Sequence, residues 1–169
     1  TVLDNRKSGI LLRDRLQLAF QMELMESTSF ASIERSGVST WRLTGLSQTK
    51  DRVTSKPFSI GGCQWVIVAY PRGKSGHNNM SIYIKVADTS KMPTGWFYIV
   101  NFKTSVINQQ TGAKYSRSVE FKTFRNKVED WGFPQMIKLQ HLYSRDELFV
   151  VDDTVIIEAQ LEIVDSHLN

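Results

Sequence analysis

Cysteine is nearly absent: Cys63 is the only one in 169 residues, so no internal disulfide can form. Structural zinc asks for four ligands, and His77, His141 and His167 do not stand at ligand spacing. Neither a metal nor a cofactor is therefore expected. A lone thiol favours a reducing compartment, and the expected location is cytoplasmic or nuclear. No apolar run approaches the length of a membrane span, and no signal peptide is visible. Positive charge is in small excess, 21 Lys and Arg against 17 Asp and Glu for a net +4. The cations are scattered, without a basic stripe interleaved with aromatics, so neither nucleic acid nor membrane is an expected partner. Internal repeats and low-complexity segments are missing too. The chain begins at Thr1 rather than Met and is expected to be a piece of a larger protein.

What is present is ordinary for a globular chain: 41% hydrophobic and 22% charged residues. A domain of this size can bury an adequate core without covalent staples. Residues 8–26 read as a helix, with Leu12, Leu16, Phe20 and Leu24 every four residues and Leu11, Leu18, Met22 and Met25 widening the stripe. The stripe is too apolar to leave in water. It can pack on its own domain, on a missing segment, or on a second copy as a dimer or trimer. From residue 38 the pattern becomes strands. Trp41 and Leu43 alternate with Thr40, Arg42 and Thr44. Phe58-Ser59-Ile60 and Cys63-Gln64-Trp65 flank Gly61-Gly62, a hairpin signal. Residues 65–70 are apolar on both faces, as in a central strand, and 71–77 make a loop. Ile82, Ile84 and Val86 share one face, with Tyr83 and Lys85 on the other. Long strands are expected at 97–107 and 114–124, the latter with Tyr115, Val119 and Phe121 on one face. A short helical turn is expected at 137–143. The last strand points Val155, Ile157, Ala159, Leu161 and Ile163 one way and Glu158, Gln160 and Glu162 the other. Short strands between turn signals predict an all-β antiparallel sandwich with an N-terminal helix.

Catalytic sets are hard to find. Gly73-Lys74-Ser75 resembles the end of a phosphate loop, but Val68 holds the place of the required second glycine, and a strand follows. Cys63 with a histidine is a nucleophile pair on paper, yet its strand position reads as a small buried hydrophobe. Asp146-Glu147 and Asp152-Asp153 read as solvated loop residues, with Asp153-Thr154 turning the chain into the last strand. The informative stretch is Glu129-Asp130-Trp131-Gly132-Phe133-Pro134. As a strand it puts Trp131 and Phe133 on one face and Asp130 and Gly132 on the other. Pro134 lacks a backbone donor, so this strand should be an edge or end there. An edge leaves unpaired N–H and C=O groups for another chain, and Gly132 lets a second backbone come close.

These pieces form an ordered series. Thr40-Trp41-Arg42-Leu43, Phe58-Ser59-Ile60-Gly61-Gly62, Trp65 to Pro71-Arg72-Gly73 and His77-Asn78-Asn79-Met80-Ser81-Ile82-Tyr83-Ile84 resemble the first half of a MATH (meprin and TRAF homology) domain. Pro93-Thr94-Gly95-Trp96, Val106-Ile107-Asn108, Lys114-Tyr115-Ser116, Asp130-Trp131-Gly132-Phe133 and Val151-Asp152-Asp153-Thr154-Val155 continue it. The resemblance implies an eight-stranded antiparallel β-sandwich over residues 38–164, an N-terminal helix and linker over 1–37 and a tail over 165–169. It implies a non-catalytic module that binds short extended peptide segments of partner proteins. The wording is similar to the MATH domains of ubiquitin-specific proteases of the herpesvirus-associated type, which implies a ubiquitin-pathway parent and peptide contacts at Arg72, Asp130 and Trp131. It also resembles the speckle-type POZ adaptor, which implies groove positions at Tyr83, Phe102, Trp131 and Phe133, with Gly132 between the last two. Glu129 stands where that adaptor has a basic residue and Lys122 where it has an aromatic. The alternative expectation is an oligomeric TRAF-like scaffold assembled through residues 8–26.

Overall fold

Alternating apolar and polar residues turn the chain into strands from Ser36 onward. The structure, a computed structural model, describes Gln17 and residues 34–49, 51–74 and 78–168. Two compact units divide the chain, Thr1–Ile33 and Glu34–Asn169. The helix expected over 8–26 lies outside the described residues apart from Gln17, which is helical.

The second unit runs β1 (Ser36–Thr44), β2 (Val53–Thr54), β3 (Phe58–Ile60), β4 (Cys63–Tyr70), β5 (Asn79–Val86), β6 (Phe97–Ile107), β7 (Lys114–Arg125), β8 (Asp130–Lys138), α1 (Leu139–Leu142), β9 (Val150–Val151) and β10 (Thr154–His167). One sheet has the order β1-β10-β6-β7, with β9 also on β10. The other has the order β2-β4-β5-β8, with β3 also on β4. Every pairing is antiparallel. Setting aside the two-residue β2 and β9, eight strands make the sandwich.

The expected inward faces form one core between the sheets. Ile82, Ile84 and Val86 meet Val155, Ile157, Ala159 and Leu161, all buried. Each large apolar side chain so placed contributes about 1.5–3 kcal/mol. Trp65 sits at the centre, edge-on to Tyr98 (centroids 5.6 Å) and Phe124 (5.1 Å). Its Nε1 donates to the Ile60 carbonyl at 3.0 Å, so the buried indole loses no hydrogen bond. The Gly61-Gly62 hairpin joins β3 to β4, with Ile60 opposite Cys63. Asp152 and Asp153 turn β9 into β10, both with left-handed φ (47° and 55°).

Two expectations need correcting. The strand β8 continues to Lys138, leaving only Leu139–Leu142 for the helical turn. Phe121 does not share the Tyr115–Val119 face. Between Val100/Lys122 and Phe102/Val119, β7 carries one residue more than β6, a β-bulge. Phe121 takes φ 53° there and turns outward, 64% exposed.

Candidate functional site

Strands β7 and β8 are edge strands of opposite sheets, and a tight turn joins them through paired backbone bonds between Arg125 and Val128 (3.0 and 2.9 Å). The two edges therefore lie beside each other along an open side of the sandwich. Side chains bridge the seam. The Trp131 indole Nε1 donates to the Thr123 carbonyl at 2.8 Å, and the Arg117 guanidinium Nε donates to the Met136 carbonyl at 3.1 Å.

Register decides which backbone groups of β8 are free. The Val86 N–H donates to the Glu129 carbonyl at 3.1 Å. Bonded and non-bonded pairs alternate in an antiparallel ladder, so Ile84/Trp131 and Ile82/Phe133 exchange bonds. Lys85/Asp130 and Tyr83/Gly132 do not, and the N–H and C=O groups of Asp130 and Gly132 point away from β5. Among the described residues β5 is the only strand that pairs with β8. The edge continues past Pro134, which has no N–H to contribute. There β8 carries two residues more than β5, between Phe133 and Ile137, and the Ser81 hydroxyl donates to the Pro134 carbonyl at 2.6 Å.

The free edge has a different wall on each side. On the inner side Trp131 and Phe133 are half-buried against the core. Phe133 packs on Phe102 (5.7 Å), and Phe102 on Phe124 (6.4 Å). Lys122 Nζ lies 4.8 Å above the Trp131 ring. On the outer side Tyr83 meets Tyr70 edge-on at 5.9 Å, and Lys74 Nζ sits over both rings (4.9 Å to Tyr83, 5.6 Å to Tyr70). Burial pushes the Tyr83 phenol above its ordinary value; Lys74 opposes this, while Asp130 and Tyr70 add to it. Gly132 lies under this cluster. A Cβ there would fall 2.5 Å from Tyr83 Cα and 2.8 Å from Tyr83 Cδ1.

Asp130, Trp131, Gly132, Phe133 and Tyr83 are thus brought together. Phe102 stands behind Phe133, 3% exposed, as its support rather than as open surface. Arg72 is elsewhere. It follows the end of β4, Nη2 donates to the Ser47 carbonyl at 3.0 Å, and its charge lowers the Tyr143 phenol against the stronger effect of burial. Tyr70 pairs with Ser81, three residues along β5 from the partner of Trp131, roughly 10 Å by strand rise.

Tyr70, Lys74, Phe121 and Arg125 do not stand out as binding-site residues in the sequence. The bulge had a signal: Val119 packs against the core and Phe124 is buried, an odd five residues apart, which strict alternation forbids. Lys74 had none, since its loop position does not say which ring it covers.

Cys63, the candidate nucleophile, is not activated in this fold. Cys63 is buried, and burial pushes its thiol up to about 11, the reverse of an activated nucleophile. Its neighbour Tyr98 is pushed up to about 12, chiefly by burial, and the Tyr98 hydroxyl has no hydrogen-bond partner of sound geometry. Among the described residues no group of His, Cys, Asp and Glu is arranged to hold a metal, and no helix is long and apolar enough to cross a membrane.

The chain is an antiparallel sandwich with an open, aromatic-lined strand edge, and its family is one of protein-interaction modules. The chain belongs to the MATH domain family, whose pattern matches residues 38–161. It is 33% identical over 129 residues to a MATH domain and coiled-coil domain-containing protein of Arabidopsis thaliana, a match covering 75% of this chain and 39% of that protein. Ubiquitin C-terminal hydrolase 13 of the same plant is 31% identical over 125 residues, covering 73% of this chain and 11% of the hydrolase. This chain therefore spans well under half the length of either relative. Among solved structures, TRAF5 of Notothenia coriiceps superposes with a TM-score of 0.60 at 18% identity, over 98% of this chain and 91% of that one, a likeness of fold.

Proposed function

We propose that this domain captures short extended segments of partner proteins as an extra strand on the free edge of β8. The observation that carries the reading is the outward-facing backbone of Asp130 and Gly132 between two aromatic walls. A ligand strand there gains main-chain bonds, and its alternate side chains fall on opposite walls. Those pointing inward meet Phe133, Trp131 and Lys122; those pointing outward meet Tyr83, Lys74 and Asp130. Asp130 accepts hydrogen bonds from ligand hydroxyls or amides. The test is selection from a displayed library of random nine-residue peptides. Enriched peptides should lose at least tenfold in affinity to Trp131→Ala, the usual scale for an aromatic anchor, at a temperature where that variant is folded. Unchanged affinity refutes the reading.

One relative is named as a ubiquitin hydrolase, which supports a role in bringing substrates to a ubiquitin-pathway enzyme carried elsewhere in a longer chain. A second reading is favoured by the coiled-coil in another relative's name: residues 8–26 assemble copies into a dimer or trimer, and several weak edges act together. Light scattering of the whole chain against a version starting at Glu34 decides it. Cutting there keeps the bonds from the Gly61 N–H to the Glu34 carbonyl and from the Ile163 N–H to the Arg35 carbonyl. Two monomers sink the scaffold reading.

A further inference from the structure

The bulge in β7 sets apart one corner of the seam. Phe121, a bulky residue, is held at φ 53° and left 64% exposed, a conformation that persists only where the surroundings impose it. Asn101 imposes it. Its Oδ1 accepts the Phe121 N–H at 2.9 Å, and its Nδ2 donates to Glu162 Oε2 at 2.9 Å, which fixes the amide. The extra residue changes which side chains of β7 face inward. Lys122, paired with buried Val100, points into the seam and lies over Trp131. Phe121, Lys122, Thr123, Arg125, Val128 and Trp131 then line an open groove of ≈ 350 Å³, with two cations among them. Among the described residues the ion pairs are Lys85–Glu129, Lys114–Glu158 and His141–Glu147, and neither Lys122 nor Arg125 takes part in one. Two nearby acids are turned elsewhere: Glu129 is held by Lys85 and Thr89, and Asp130 faces the Tyr83 side.

We propose that this corner is the specificity subsite of the groove and takes a carboxylate side chain, aspartate or glutamate, of the bound segment. The inference rests on the β8-edge reading above and names what that edge selects. A ligand strand on β8 sends every second side chain inward; the one opposite Trp131 reaches Lys122, and Arg125, at the outward-facing last position of β7, approaches it from the rim of the groove. Arg125 offers a planar fork to a carboxylate and Lys122 a point charge already placed by the indole beneath it. Phe121 stands at the outer rim of the groove. A neutral Ser or Thr at that ligand position leaves both cations without a partner and is disfavoured.

The test uses the whole chain and the same random nine-residue library. Wild type should enrich one Asp or Glu position. Replacing that residue by Gln in the best peptide should weaken binding about tenfold or more, the scale of a charge-assisted hydrogen bond. Lys122→Glu should invert the preference towards Lys or Arg at the same position. Lys122→Met, which keeps the packing over Trp131, should abolish the preference. Melting curves confirm that both variants fold. An acid preference unchanged by Lys122→Glu, or peptides that depend on Trp131 but show no acid, overturns the subsite and leaves the edge standing. No enrichment at all by wild type overturns the edge reading and the subsite with it.

Discussion

Adding one methyl group at Gly132 should do more damage than its size suggests. The new Cβ would sit 2.5 Å from Tyr83 Cα, in a space no real Cβ occupies. The obstacle is backbone of β5, so a rotamer change cannot relieve it. Either β8 moves off β5 or the Tyr83/Gly132 pair opens. Forced shifts of this kind cost about 1–3 kcal/mol, and a backbone obstacle puts Gly132→Ala in the upper half, about 2–3 kcal/mol. At about 4 °C per kcal/mol for a domain of this size, the melting temperature should fall by roughly 8–12 °C. Gly112→Ala is the control. Its φ of 74° is left-handed, but nothing lies within 4 Å of the added Cβ, so conformation alone should cost about 1 kcal/mol. Thermal melts followed by far-UV circular dichroism give both numbers. If Gly132→Ala melts within about 2 °C of wild type, or Gly112→Ala costs more, β8 is not pressed on β5 as described. Selected peptides should also lose affinity to Gly132→Ala, since the edge they pair with has moved.

Three further outcomes follow from the same structure. Native Cys63 should resist alkylation at pH 8 and react only on unfolding, because its thiol is buried and pushed up to about 11; labelling at the rate of a free thiol would contradict this. The folded state holds the Cys63 and Tyr98 protons more tightly than the unfolded chain, with values of about 11 and about 12 against reference values of 9.0 and 10.0. Stability from these groups is therefore complete below about pH 9 and is lost as pH rises through 9–12; urea midpoints should fall there for wild type and less for a Cys63→Ala, Tyr98→Phe double variant. Trp131→Phe should cost about 0.5–1.5 kcal/mol through the lost bond to the Thr123 carbonyl, read as a lower urea midpoint; an unchanged midpoint would mean that the indole does not tie β8 to β7.

Much of the fold was legible because burial on one side of a sheet writes itself as alternation. The inward faces of β5 and β10 and the Gly61-Gly62 hairpin follow from residue type and spacing. Pro134 marked an edge, and β8 is an edge strand. What was hidden depends on pairing across the sandwich. That Phe102 sits behind Phe133 is decided by how the sheets face each other. The bulge that turns Phe121 out and Lys122 in is fixed by Asn101, twenty positions earlier in the chain. Arg72 illustrates a further limit: the motif around it reads clearly, but its bond to the Ser47 carbonyl comes from a loop whose path no local pattern describes.

The central claim is that a partner segment pairs with the open edge of β8, and amide hydrogen exchange resolved by residue tests it most directly. In the free domain Trp131 and Phe133, bonded to β5, should exchange slowly, and Asp130 and Gly132 quickly. With a saturating peptide taken from the random library, the Asp130 and Gly132 amides should become protected while Trp131 and Phe133 change little. Protection that appears instead along β1, the opposite edge of the other sheet, or a bound peptide that leaves Asp130 and Gly132 exchanging as before, would contradict the account.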